Sequence, residues 1–555
     1  MVGSNEADAT LKNLVNDSST SITGEQYVGG IAGDNAGTIT TGNEETDETV
    51  NLINRGTITG QQYVGGVAGS NSGIITNANN DVELNVKDGT ADAKFFGGIA
   101  GVNTGTINNA TNTADVNADG AAYVGGIVGE NNGILKDMAG NSGNVTGGKF
   151  VGGVAGLNTN NKPLDGVEAS NTGTVFATDG GAGGIFAVNN ANITNSKLTN
   201  NGAVIGKGGN GTGGIFGVNT GNISTSSLIN EVDGQVIGTN NVGGLIGKNT
   251  GTIIGGRDDA DSYYKYKIYN NGVINVGTYK DEDGDGKYVF YEQNGNNIGG
   301  LIGNNADETA MGGKKGSLTA GYNTGAINAS GSTNVGGIAG SNSGTIDQVF
   351  NTIMVADGTL DLNGKTQSVA VNGGINVGGL VGNNSGILNN AYNTTSEVKG
   401  NAASTGNLVG TNSGTVQYVY GVADKLIGDG KTAENGYVID GSDTWLQEGI
   451  YEDFTFGANG WKIYDGSTLP MLSVFLTKVT VVDQHLVDQY FSAKHYGEFH
   501  QITADDIKAL IAIGAISAPD GFGAFNNNNG LIQGVADDAM AKFRQLAVFM
   551  ADWQQ

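Results

Sequence analysis

A thirteen-residue stretch, Tyr27-Val28-Gly29-Gly30-Ile31-Ala32-Gly33-Asp34-Asn35-Ala36-Gly37-Thr38-Ile39, returns along most of the chain and limits what it can fold into. The Gly-Gly pair recurs at Gly65, Gly97, Gly125, Gly152, Gly183, Gly213, Gly243, Gly299, Gly336 and Gly378, with a worn copy at Gly406-Asn407-Leu408. The usual step is about 30 residues, which marks solenoids, propellers and arrays. An aliphatic residue follows each pair, as at Ile31, Val67, Ile99 and Leu380. Four residues further on stands an asparagine in every copy: Asn35, Asn71, Asn103, Asn131, Asn158, Asn189, Asn219, Asn249, Asn305, Asn342, Asn384 and Asn412.

Val28 and Ile31 are three apart, so one straight strand would send them to opposite faces. Two glycines between them allow a corner that turns both inward. The next glycine (Gly33, Gly69, Gly247; Ala187 is the exception) marks a second tight spot. Asn-x-Gly-x-Ile, as in Asn71-Ser72-Gly73-Ile74-Ile75, reads as a turn followed by a strand. One asparagine per coil, in register, suits a ladder of side-chain amides between coils about 4.8 Å apart. It would satisfy polar groups where water does not reach, so these asparagines are expected to be structural. Three short strands per coil predict an all-β, right-handed parallel β-helix (β-solenoid) with a small, mostly helical C-terminal tail. A propeller is disfavoured, since twelve copies exceed an ordinary set of about four to eight blades. Twelve coils give a rod about 60 Å long.

Composition narrows the class. Gly supplies 98 of the 555 residues, but no Gly-x-y period and only three Pro exclude collagen. A net charge of −27 opposes nucleic acid and anionic membranes as partners. There is no Cys, hence no disulfide framework and no Cys-based zinc site. No apolar run reaches about 18 residues, so membrane insertion is not expected. Met1-Val2-Gly3-Ser4-Asn5 has no signal-peptide pattern, and the chain reads as an excised piece of a larger protein.

The repeats, with residues 1–23 as an incomplete first coil, are expected to occupy 1–416. The longest interval is predicted to hold a β-hairpin insertion at about 257–295. Its aromatic strands would carry Tyr263, Tyr264, Tyr266, Tyr269, Tyr288 and Tyr291, candidate ligand-binding residues because aromatic rings stack on sugars and anchor interfaces. The alternative is that these rings only pack the hairpin onto the rod. Between the strands, Asp281, Asp283 and Asp285 fit the start of a calcium loop, and Glu292 stands at its closing position. An extended strand would carry Glu292 about 20 Å from the turn. The three aspartates remain candidate Ca2+ ligands, with no cofactor required. The acidic run Glu44-Glu45-Thr46-Asp47-Glu48 reads as a solvated loop tip.

Residues 417–475 gain large side chains, among them Trp445, Tyr451, Phe454, Phe456, Trp461 and Tyr464, and are expected to form an aromatic cap closing the solenoid end. Residues 476–555 are expected to be mostly helical, with one helix opened by Thr503 and another over 535–550. His485, His495 and His500 match no zinc spacing. Polysaccharide-cleaving β-helices need grouped carboxylates. The repeats offer Gly, Asn, Ser and Thr on the groove side instead, so no enzyme is expected.

At Gly244-Leu245-Ile246-Gly247-Lys248-Asn249 the sequence resembles the GLUG motif, a repeat of large bacterial surface and secreted proteins, with copies over roughly 24–416. Phe454 to Leu472 resembles the segment that closes repeat regions in filamentous-haemagglutinin-like exoproteins of two-partner secretion. The resemblance implies an extracellular or cell-surface bacterial adhesin segment that binds a cell-surface glycan or protein, with an outer-membrane transporter as partner during export. A polysaccharide-processing enzyme and a passive surface stalk are the alternatives.

Overall fold

The computed structural model describes residues 2–41, 52–87, 92–159, 162–209, 211–256, 266–281, 288–352, 371–395, 397–438, 448–451, 454–456, 460–463, 470–472, 480–494, 500–502, 509–510, 513–517 and 532–534. From Val2 to Val438 the chain winds as a parallel β-solenoid in which every coil adds a strand to each of three long sheets.

One coil shows why. Lys94–Gly97 leads into the Gly97-Gly98 corner; Ala100–Asn103, Thr106–Asn112 and Val116–Gly125 follow. Phe96, Ile99, Ala100, Ile107, Ala110 and Val116 are all buried, so the corner does turn residues on both sides of it inward. A side chain on Gly98 would fall on the carbonyl oxygen of Gly126 and on the Asn112 side chain, so the corner admits only glycine. Neighbouring coils match residue for residue: Ala68 pairs with Ala100 and Asn71 with Asn103. One sheet collects thirteen such strands, from Val2–Asn5 to Val409–Asn412. A continuous apolar core runs inside the tube from Ile31 to Ile427.

Two asparagine ladders line this core. The first links Asn5, Asn35, Asn71, Asn103, Asn131, Asn158, Asn189, Asn219, Asn249, Asn305, Asn342, Asn384 and Asn412, each Nδ2 donating to the Oδ1 of the next at 2.6–3.0 Å. The second was not foreseen. It links Asn16, Asn54, Asn80, Asn112, Asn141, Asn171, Asn200, Asn230, Asn270, Asn323, Asn351 and Asn393 at 2.7–3.0 Å. Its signal was in the sequence: Asn-x-Gly occurs at a second place in the coil, as in Asn141-Ser142-Gly143 and Asn171-Thr172-Gly173.

Four features differ from expectation. The first coil lacks the lead-in strand and the glycine pair, as an incomplete coil would, yet Val2–Asn5, Thr10–Lys12, Val15–Asn16 and Ser21–Thr23 already serve all three sheets. The hairpin pairs Ile274–Asp281 with Tyr288–Glu292, Gly277 facing Glu292 and Asp281 facing Tyr288. The segment around Tyr269 is instead a rung, Ile268–Asn270, pairing Leu228 with Ile268 and Asn270 with Asn323. Alternation of aromatic and polar residues is common to a hairpin and a rung and could not separate them.

The aromatic cap is the third difference. Thr415–Gly421 and Glu434–Val438 continue the coil, and Ile427 joins the core. The described residues between 448 and 472 then lie along the flank, where Tyr451, Phe454, Trp461 and Leu472 cluster with Tyr269, Tyr322, Phe350, Tyr392 and Tyr420. These tyrosines point out of the tube because they alternate with inward residues, Ile268 and Asn270 beside Tyr269 for example. The segment therefore covers a wall rather than a tube end. Fourth, the described tail holds one helix, Gln484–Lys494, capped by the Asp483 carboxylate, and two short antiparallel strand pairs. Of the helix expected from Thr503, residues 509–510 are helical; the one at 535–550, Trp445, and the acidic run at 44–48 lie outside the described residues. Among the described residues no helix is long and apolar enough to cross a membrane.

Candidate functional site

On the outer wall, Glu168, Lys197 and Ser227 stand in one row across successive coils. Lys267 follows them, its backbone N–H donating to Ser227 Oγ at 3.0 Å. The loops beside this row are locked coil to coil. The Asp165 carboxylate accepts from Thr194 Oγ1 and Asn195 Nδ2, both at 2.8 Å. Ser196 Oγ accepts from Val167 N–H at 3.1 Å and donates to the Thr194 carbonyl at 2.8 Å. Ser226 repeats that role one coil on.

These loops and the row line an open cavity of 270 Å3, walled by Glu168, Asn195, Ser196, Lys197, Ser227 and Tyr266. Lys197 Nζ meets Glu168 Oε1 at 3.3 Å, an exposed pair that adds little stability but sets a donor beside an acceptor. Beneath lies a buried polar group. Tyr269 Oη donates to Glu231 Oε1 at 3.1 Å, and burial pushes the Tyr269 hydroxyl well above its ordinary range. Burial pulls Lys267 down to about 7, Glu231 opposing and Lys197 reinforcing the shift. An aromatic residue flanked by carboxylate, amide, hydroxyl and ammonium groups suits a polyhydroxylated ligand. At 270 Å3 it takes about one sugar ring.

The candidate tyrosines scatter. Tyr266 walls the cavity. Tyr269 is fully buried on its rung, stacked on Tyr322 at 5.2 Å, and cannot touch a ligand. Tyr291 is half-buried on the hairpin, and Tyr288 contributes backbone pairing there. Tyr263 and Tyr264 lie outside the described residues. Of the aspartates, Asp281 ends a hairpin strand, whereas Asp283 and Asp285 lie outside. Glu292, paired with Gly277, sits at the hairpin base, far along the strand from the loop. His485 is on the helix and His500 on a strand, and no group of metal-ligating side chains occurs among the described residues.

Sequence reasoning missed a surface feature within its own repeat. Tyr27, Tyr63, Phe95, Tyr123 and Phe150, each two residues before a Gly-Gly pair, stack ring on ring along one edge of the rod at 4.7–5.4 Å. The recurring aromatic was visible but weighed only as part of the pattern.

Fold and surface together define a parallel β-solenoid with side-chain sites built on its outer walls. No protein-family model, curated protein or solved structure matches the chain.

Proposed function

We propose that this chain is an extracellular bacterial adhesin segment, a non-catalytic rod that presents its walls for attachment to a cell-surface glycan or protein. The observation that carries this reading is the cavity at Tyr266, where an aromatic residue and convergent polar groups sit on a wall whose strands are tied by the Asn171, Asn200 and Asn230 ladder. Rigid support of this kind lowers the entropy lost on binding. The Gly-Gly-x-x-Gly-x-Asn repeat, with its likeness to GLUG repeats, and the aromatic segment, with its likeness to haemagglutinin-like exoproteins, support a secreted origin and export through an outer-membrane transporter. A right-handed coil is the sense that parallel crossovers favour. Ca2+ at Asp281, Asp283 and Asp285 belongs to the same proposal, as a brace for the hairpin tip.

The test is binding of the purified chain to a glycan array and to whole cells, with and without Ca2+. Selective binding that Tyr266→Ala or Lys197→Met abolishes, with an unchanged melt, places the contact in the cavity. Binding retained by both variants removes the cavity from the reading. No binding to any glycan or cell makes the chain a stalk.

A further inference from the structure

The ring row, with Tyr27 exposed and the other four rings half-buried, goes beyond the glycan reading, because it lies on another edge and suits another partner. Its five aromatics hold left-handed backbone, with φ of 54° at Tyr27, 55° at Tyr63, 63° at Phe95, 59° at Tyr123 and 56° at Phe150. Bulky side chains pay conformational energy there, whereas Asn and Gly adopt it readily. Later coils show the easier solution. Asn241, Asn297, Asn334 and Asn376 occupy the same position with φ of 51–59° and bond one another at 2.8–2.9 Å. The backbone there is set by close packing: a side chain on Gly101 would meet the Tyr63 and Val64 backbone at 2.5 Å. The fold therefore asks for Asn or Gly at this position and in five consecutive coils carries an aromatic ring. Strain retained against an available alternative points to use.

The same molecule shows what such a row can hold. Tyr269, Tyr322, Phe350 and Tyr392 form a second stack at 5.1–5.2 Å, like the first in spacing and tilt. That stack clusters with Tyr451, Phe454, Trp461 and Leu472 of the chain itself. Trp461 lies 5.7 Å from Tyr392 and 6.0 Å from Phe350, and Phe454 meets Tyr420 edge-on at 5.3 Å. Tyrosine hydroxyls on the wall then donate to the segment's backbone, Tyr392 to the Pro470 carbonyl at 2.8 Å and Tyr420 to the Ile450 carbonyl at 3.0 Å. The row at Tyr27 has matching parts: stacked rings at the same spacing and hydroxyls on Tyr27, Tyr63 and Tyr123.

We propose that the row Tyr27, Tyr63, Phe95, Tyr123 and Phe150 is a docking surface for an extended, aromatic-bearing polypeptide segment of a partner protein, seated as Tyr451, Phe454 and Trp461 are seated on the other row. A sugar is a poor occupant, since the ring faces it would need are stacked on one another. Two copies of this chain, each at −27, repel.

The probe is a synthetic peptide with the sequence of residues 446–472, titrated into the full chain. Its control carries alanine at Tyr451, Phe454 and Trp461. The decisive variant is Tyr63→Asn/Phe95→Asn/Tyr123→Asn, which installs the residue the later coils use and keeps the backbone comfortable. The expected result is peptide binding by the parent, at least tenfold weaker binding by the variant and by the control peptide, and a melting temperature in the variant no lower than the parent's. Equal binding by parent and variant, or no binding by the parent, overturns the proposal. So does a variant that melts lower without any change in binding, which makes the rings structural. Sedimentation showing a parent dimer that the variant loses replaces the partner with a second copy, and glycan binding that the variant loses replaces it with a sugar. The cavity variants Tyr266→Ala and Lys197→Met retain peptide binding, so this test and that of the glycan reading fail separately.

Discussion

Each ladder asparagine serves two masters at once. Asn200 Nδ2 donates to Asn230 Oδ1 at 2.8 Å and to the carbonyl of Gly202 in its own turn at 2.8 Å, while its Oδ1 accepts from Asn171 at 2.9 Å. The amide thus fixes both the turn and the stacking of coils. Asn200→Ala strands a buried acceptor on Asn230 and a donor on Asn171, at a cost of about 2–4 kcal/mol. A lowered urea midpoint of the coils around residue 200 is the expected reading; an unchanged midpoint would mean water replaces the amide. Lys267 gives a pH dependence. Its folded pKa of about 7 lies below the ordinary 10.5, so between those values the unfolded chain holds a proton that the folded chain has released. Stability should therefore rise from pH 7 towards 10 and Lys267→Met should flatten the rise, as melts across that range would show. The shift at Tyr269 acts the other way, removing stability only above pH 10.

Among elements, the segment 448–472 is the one whose place depends on contacts made across the chain. It holds to the wall by Tyr451, Phe454 and Trp461, with Trp461 fully buried. Trp461→Ala should cost about 3–5 kcal/mol of local stability. The segment should then become open to protease while the coils remain folded, because the tube core is a separate apolar cluster. Cleavage within 439–479 with the rest of the chain intact is the expected gel pattern. Loss of the whole chain at the same protease level would show that the wall and the segment fold as one.

As a whole, the molecule is a one-dimensional stack, roughly 60 Å long for thirteen strands at the inter-strand spacing. Each coil touches chiefly its neighbours, so unfolding should spread along the stack instead of occurring at once. Val2 and Val15 are 38% and 48% exposed at the first coil, while the wall from Ile229 onward carries the aromatic cover. Hydrogen exchange should be fastest over residues 2–23 and slowest in coils that hold the covered row. Uniform protection from end to end would contradict this picture.

The repeat by itself determined the solenoid, the inward corner at the glycine pair and one asparagine ladder. All three follow from neighbours along the chain and from a fixed register, and a local pattern records both. The second ladder was equally legible in the Asn-x-Gly turns and was simply not read. What only the tertiary structure decided depends on distant partners. Tyr392 and Tyr27 are both tyrosines in strands of the coil, yet one is fully buried against Trp461 and bonded to the carbonyl of Pro470, 78 residues further on, and the other is 48% exposed. The cavity at Tyr266 likewise joins residues from four coils. Alternation tells which side of a strand a residue takes, but whether that side meets solvent depends on where the rest of the chain is laid down.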